Sequence, residues 1–237
     1  MNHKLKLNRF FLLFIVFTNL VSAAQNFPDQ FYMEYELTQS SKFIGTMTIK
    51  YENKNKNYSF KAVTEGQGIL RLLGNRELYS EGIINNKGFH PKKFELKNIK
   101  KPKKDITAIF QPSSKKIEVK YKGETSFLDL QPKALDFAIY LYQFNFEKKN
   151  QDNYNFNVLE GKNVREYEYK KIRNEIINFN NKDRVTEMYE GRIVTKEKSK
   201  HYVWISKGEY RVPLKLSVGT DFGVTINQTI VRTNLPL

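Results

Sequence analysis

The apolar positions of this chain fall mostly two apart. The stretch FYMEYEL sets Phe31, Met33, Tyr35 and Leu37 on one face. FIGTMTIKY groups Phe43, Met47, Ile49 and Tyr51, and NYSFKAV gives Tyr58, Phe60 and Ala62. Each run is strand-length and rich in aromatic or β-branched residues, which is how half-buried strands read. The polar stretches TQSSK and ENKNKN lie between them, so the three runs predict an antiparallel meander. LYSEGIINNKGFHPKKFEL reads as strand, turn over Asn85 to Gly88, and strand. DITAIFQPSSKKIEVKY reads as a hairpin about Pro112, Ser113 and Ser114. Further strands are expected around 153–159, 162–172, 174–180, 184–190, 192–198, 201–206, 210–219 and 222–231, punctuated by Gly161, Gly191, Gly208 and Gly219.

Three stretches depart from this period. EGQGILRLLGNRE, with Gly66, Gly68 and Gly74 about Ile69, Leu70, Leu72 and Leu73, predicts a short turn over a sheet edge or barrel mouth. It lacks the Gly-Lys-Ser/Thr ending of a phosphate loop. In QPKALDFAIYLYQFNF, Leu135, Ala138, Ile139 and Tyr142 keep the i, i+3, i+4, i+7 spacing of one helix face, and Pro132 suits a first turn. This predicts one substantial α-helix over 132–145, lying against a sheet. Finally, Tyr202–Ile205 is apolar on both faces around the lone Trp204. The run after it alternates, with Val212, Leu214, Leu216 and Val218 on one side and Arg211, Pro213, Lys215 and Ser217 on the other. A strand apolar on both faces needs cover on both. The fold class expected is mainly β: a large curved antiparallel sheet or open β-barrel with that single helix.

The ends and the charge narrow the setting. Lys4, Lys6 and Arg9 precede an apolar run from Phe10 to Val21, and small residues follow it. This is the layout of a secretory leader, with cleavage expected after Ala23 or Ala24. The run is short of the roughly 20 residues that span a bilayer, and no later segment is apolar enough to be a transmembrane helix. The expected arrangement is a signal peptide over 1–23 and one β-rich domain over 24–237, in the periplasm, soluble. There are 0 cysteines, so lipidation through an N-terminal cysteine and disulfides are both excluded. The formal charge is +15, and +12 without the three basic residues of the leader. That favours anionic partners, a membrane surface among them. The abundance of Lys, Asn, Ile, Phe and Tyr also fits AT-rich codons with lysines on solvated faces, and export argues against nucleic acid.

The search for reactive groups returns little. Only His90 and His201 follow the leader, there is no Gly-x-Ser-x-Gly elbow, and no His-x-x-x-His spacing exists. No catalytic residue, metal ligand or cofactor is assigned. Asp129 and Asp136 flank the start of the predicted helix, where carboxylates suit its dipole. The densest cationic run, KNIKKPKKD, makes Lys100, Lys101, Lys103 and Lys104 candidate anion-binding residues; Lys97 belongs to the same run. The competing reading is a solvated turn that guards a sheet edge. If the sheet encloses a cavity, Trp204, Tyr202, Phe60 and Met47 are candidates for its wall.

Taken in order, YELTQSSKFIGTMTIKY, EGQGILRLL, EGIINNKGFHPKKF, LDFAIYLYQF, YNFNVLEGKNVREYEY and VWISKGEYRVPLKL resemble domain of unknown function 3108, a family of exported bacterial proteins. The features that carry the resemblance are Gly45, Gly68, Gly88 with Pro91, Asp136, Gly161, Trp204 and Pro213. It implies a curved β-sheet domain of the cell envelope with no established activity. The terminal tryptophan and proline strands are also similar to periplasmic lipoprotein carriers, open barrels that hold acyl chains under helical lids. That is analogy of fold, not of function. Three readings follow: a binding module for a lipid, another apolar envelope molecule or an envelope partner; a structural or assembly factor with a packed core; and, least supported, an enzyme with an unrecognised site.

Overall fold

The computed structural model describes residues 27–67, 75–149, 151–219 and 223–237. They form one open, 15-stranded sheet. The first meander comprises β1 (Gln30–Gln39), β2 (Lys42–Lys54), β3 (Asn57–Gly66), β4 (Arg76–Asn85), β5 (Gly88–Asn98), β6 (Ile106–Gln111), β7 (Lys116–Tyr121) and β8 (Glu124–Asp129). After the two-residue β9 (Leu135–Asp136), the second comprises β10 (Asn153–Glu160), β11 (Asn163–Phe179), β12 (Lys182–Ile193), β13 (Lys196–Ser206), β14 (Pro213–Gly219) and β15 (Thr225–Thr233). Neighbours pair antiparallel, except that β9 runs parallel to β10. The two meanders meet where β1 pairs with β15. The sheet therefore runs from β8 inward to β1, across to β15, and outward to β10 and β9.

The two-residue period predicts these strands well. Phe31, Met33, Tyr35 and Leu37 are all buried on one side of β1. Phe43 is the exception in β2, at 46% exposed. The pairing of β1 with β2 shifts between Leu37 and Thr38, and such a bulge moves every residue beyond it to the other face. Two predicted breaks are bulges rather than turns. The chain expected to break near 173 runs on as the 17-residue β11, with a register shift between Lys171 and Arg173. The break expected at Gly191 is a shift within β12. Strand β8, exposed along most of its length, was not marked by the pattern at all.

The expected α-helix over 132–145 is absent. The segment begins with β9 and ends in a short 3-10 helix, Tyr140–Asn145. Its backbone bonds span three residues: Ile139 N–H donates to Asp136 O, Tyr142 N–H to Ile139 O and Phe146 N–H to Gln143 O. The reason is burial on all sides. Leu135, Asp136, Ile139, Tyr140, Tyr142, Gln143, Phe144 and Asn145 are all buried, whereas a helix lying on a sheet has one wet face. The aromatic content, Phe137, Tyr140, Tyr142 and Phe144, also disfavours α-helix. This segment is a plug. Tyr142 packs on Phe31 of β1 and Phe60 of β3 at ring distances of 5.5 and 5.2 Å. Two residues on, Phe144 packs on Tyr154, Phe156, Tyr169 and Tyr189 of β10, β11 and β12. One segment can touch strands so far apart in the sheet only if the sheet curves around it.

Candidate functional site

The plug is held by polar anchors at both ends. At its start, Asp136 is fully buried. Ser80 Oγ lies 2.5 Å from Asp136 Oδ2, and the Ala138 amide donates to Oδ1 at 2.9 Å. Tyr58 Oη lies 3.0 Å from the same Ser80 hydroxyl. Burial, only partly offset by these hydrogen bonds, pushes the Asp136 carboxyl up to about 7. Further along, the Phe89 amide donates to Gln143 Oε1, and Gln143 Nε2 donates to Lys87 O. Gly88 has φ +108, and a Cβ there would meet the Gln143 amide at 2.1 Å, so side chain and backbone both require glycine.

The far end of the plug meets a buried charge network. Arg211 Nη1 donates to Phe144 O at 2.9 Å, and the Arg211 amide donates to Asn145 Oδ1 at 3.0 Å. Arg211 Nη2 pairs with Glu187 Oε2 at 3.0 Å and reaches the Tyr154 and Tyr189 hydroxyls at 3.3 and 3.2 Å. Lys171 Nζ holds the other carboxylate oxygen of Glu187 at 2.6 Å. Burial pulls the Glu187 carboxyl up, but the hydrogen bonds from Lys171 and Tyr189 and the Arg211 charge outweigh it, leaving it below the ordinary range. A third polar contact joins Tyr169 Oη to His201 Nε2 at 2.7 Å, with Tyr140 Oη 3.3 Å from the same tyrosine. No sequence signal marks Arg211, which alternation puts on an outward face. It is buried because residues 210–212 precede β14 and cross the end of the plug.

The four candidate wall residues do not come together. Phe60 lies in the core against Tyr142, and Met47 packs at the margin of that core. Val203 and Ile205 are the core-facing residues of β13. Strand alternation therefore sends Tyr202 and Trp204 to the other face of the sheet. Trp204 is buried there under Lys215, whose Nζ lies 4.5 Å from the ring centre. Lys100, Lys101, Lys103 and Lys104 are all exposed on the turn between β5 and β6. Asp129 is not at a helix terminus; it stands on β8, with Lys116 Nζ 2.7 Å away. The glycine-rich stretch at 68–74 and the leader with Ala23 and Ala24 lie outside the described residues. Among the described residues no group of three or more His, Asp or Glu is placed to hold a metal ion. No helix of the described residues is long and apolar enough to cross a membrane.

One end of the sheet carries a cleft with aromatic walls. It has a volume of about 510 Å³, and Phe27, Ile84, Phe146 and Tyr210 line it with Asp29, Asn53, Lys56, Asn85 and Asn86. Behind it Phe27 packs edge-on against Phe31, Tyr51 and Phe89. The Tyr51 hydroxyl and Asn53 Oδ1 are buried with no hydrogen-bond partner among the described residues. Sequence pattern marked Tyr51 as a core residue but not this cleft, since Phe27, Phe146 and Tyr210 come from three loops.

A family profile described as "Protein of unknown function (DUF3108)" matches residues 33–230. The chain belongs to this family. Among curated proteins, no sequence matches it. Its DUF3108 fold is similar to the crystal structure of a β-barrel-like protein of domain of unknown function DUF1849 from Brucella abortus. The TM-score is 0.58 at 12% identity, over 86% of this chain and 96% of that one. Lipoprotein LppX of Mycobacterium tuberculosis (TM-score 0.31, 13% identity, 90% of this chain, 91% of that one) lies further off. So does a putative outer membrane lipoprotein-sorting protein domain of Vibrio parahaemolyticus (0.28, 12%, 90% and 89%). Those two likenesses are too slight to carry an argument. For the DUF3108 chain, the DUF1849 match supports the curved β architecture and nothing about a ligand.

Proposed function

We propose that this DUF3108 protein is a non-catalytic binding module of the bacterial envelope, exported by a cleaved leader and left unlipidated. Its ligand is an apolar molecule, acyl or aromatic, carrying one polar group. The place of binding is the cleft of Phe27, Phe146 and Tyr210 rather than a central cavity, because the plug occupies the middle of the sheet. The observation that carries this reading is the unpartnered buried Asn53 Oδ1 in the lining of this aromatic cleft, with the unpartnered Tyr51 Oη on a ring packed behind Phe27. Buried polar groups are almost always satisfied, so an exception calls for a partner. The filled interior favours a second reading, an envelope assembly factor with a packed core and no small ligand.

Titration with an anthroyloxy-labelled fatty acid separates the two. Binding should raise its emission, and Tyr210→Ala should weaken the interaction at least tenfold while leaving the circular dichroism spectrum unchanged. No emission change at any concentration, together with a lipid-free extract of protein purified from the envelope, gives the packed-core reading.

A further inference from the structure

A second cleft lies at the opposite end of the same strands. Strand β4 runs from Arg76, in this cleft, to Asn85, in the aromatic one. Nine residue steps of strand put the two about 30 Å apart. The second cleft is an open groove of about 380 Å³. Four cationic residues from separate parts of the chain line it: Arg76 at the start of β4, Lys104 on the turn before β6, Lys162 on the turn between β10 and β11, and Arg165 in β11. Its remaining walls are Leu96, Ile106 and Tyr121, with Asn98 and Asn163.

The charge there is not balanced from within. Glu160 is the one acidic residue of the lining, and its Oε2 lies 2.9 Å from Arg165 Nε. The two atoms are close enough for an ion pair but not aligned for a hydrogen bond, and both are buried without a hydrogen-bond partner. Arg76, Lys104 and Lys162 make no ion pair among the described residues. Nearby, Asp105 is engaged by the Asn98 amide at 2.7 Å and Glu77 by Lys61 at 3.0 Å. The cations are also presented by pinned backbone. Asn98 Nδ2 donates to Lys104 O at 2.9 Å, and the Lys101, Lys104 and Asp105 amides close the turn Asn98–Asp105. Lys162 follows Gly161, whose φ of +63 makes the tight turn between Glu160 and Asn163.

We infer that this cleft is a binding site for a phosphate-class anion, with the Leu96, Ile106 and Tyr121 wall receiving an apolar group attached to it. Converging cations repel one another at a cost that an anion cancels, and guanidinium forks suit phosphate oxygens. Of the cationic run at 97–104, the cleft recruits Lys104 alone and joins it to residues far away in sequence. The site stands apart from the aromatic cleft and does not depend on it.

Isothermal titration at low ionic strength tests this with dodecyl phosphate below its micelle concentration, inorganic phosphate, and dodecyl maltoside as the neutral amphiphile. Dodecyl phosphate should bind, and the double variant Lys104→Gln with Lys162→Gln should bind it at least tenfold more weakly. All titrations are run in the Tyr210→Ala background, so that uptake by the aromatic cleft is not counted, and there Lys100→Gln with Lys101→Gln should leave the affinity unchanged. Equal binding of inorganic phosphate supports the site and assigns it to the free anion. Binding of dodecyl phosphate alone supports it and assigns a lipid-like headgroup. The inference is overturned if neither phosphate binds, if dodecyl maltoside binds as well as dodecyl phosphate, or if the Lys100 and Lys101 variant weakens binding as much as the cleft variant.

Discussion

The plug divides the interior into two walls built from similar residues in different ways. On the side of the first meander, Phe27 and Phe89 meet Phe31, Tyr51, Tyr58 and each other edge to face at 5.1–6.2 Å, and Tyr51 stacks on Phe31 and Tyr58 at 4.9 and 6.4 Å. On the side of the second, Tyr154, Tyr169 and Tyr189 also pack on a ring, that of Phe144. Their hydroxyls, however, join Arg211, Glu187, His201 and Tyr140. The first wall is held mainly by area and shape, and neighbouring apolar residues can substitute for one another. The second contains charges that water once solvated, so each group depends on the others being present. Equal aromatic content thus conceals unequal tolerance to change.

The largest expected effect is on the charged wall. Arg211→Met leaves Glu187 buried with only Lys171 opposite it. It should cost about 3–5 kcal/mol in urea unfolding, the range for breaking a buried ion pair. Adding Glu187→Leu should recover much of that loss, since the uncompensated carboxylate is then gone. If the double variant is no better than the single one, Arg211 acts through its bonds to Phe144 and Asn145 instead.

The next effect is on the anchor of the plug and depends on pH. The Asp136 carboxyl rises from an ordinary 3.8 to about 7 in the folded protein. Below pH 3.8 it is neutral whether folded or unfolded, and its contribution to stability is fully present. Between 3.8 and 7 the unfolded chain releases a proton that the folded one keeps, so stability falls as pH rises. The slope approaches about 1.4 kcal/mol per pH unit, and above 7 the contribution is lost. Asp136→Asn preserves the geometry and should flatten this slope. Unfolding curves that remain equally steep in pH 4–7 point to another group.

The smallest effect contrasts one tyrosine from each wall. Tyr51→Phe removes a hydroxyl without a partner and should stabilise the ligand-free protein by about 1 kcal/mol. Tyr169→Phe removes one that bonds Tyr140 and His201, and should destabilise it by a similar amount. Opposite signs in thermal unfolding sustain the distinction between the walls; matching signs remove it.

How much of this was legible follows the same division. Alternation found the strands and the apolar wall, because Phe31, Tyr51 and Phe60 each sit in a two-residue period. It misread the plug, because Leu135, Ala138, Ile139 and Tyr142 keep helical spacing whether one side is buried or all of them are. What distinguishes the cases is that Tyr140, Gln143, Phe144 and Asn145, off that face, are buried as well. The charged wall left no trace, since Lys171, Glu187 and Arg211 look like surface residues until the segment before β14 crosses the β11–β12 hairpin. Both clefts were hidden because their walls join strand ends to turns that are far apart in the sequence, and a local period carries no information about such meetings.

The seam between β1 and β15 sets the order in which the molecule can form. Each meander is made of local hairpins, which assemble quickly, but Met33 pairs with Thr233 across 200 residues of chain. Until that pairing closes, two half-sheets stand with open edges and partly uncovered aromatic rings, the species most inclined to aggregate. The slow step of folding is therefore the joining of first strand to last, and shortening the chain before Thr233 should trap the halves apart.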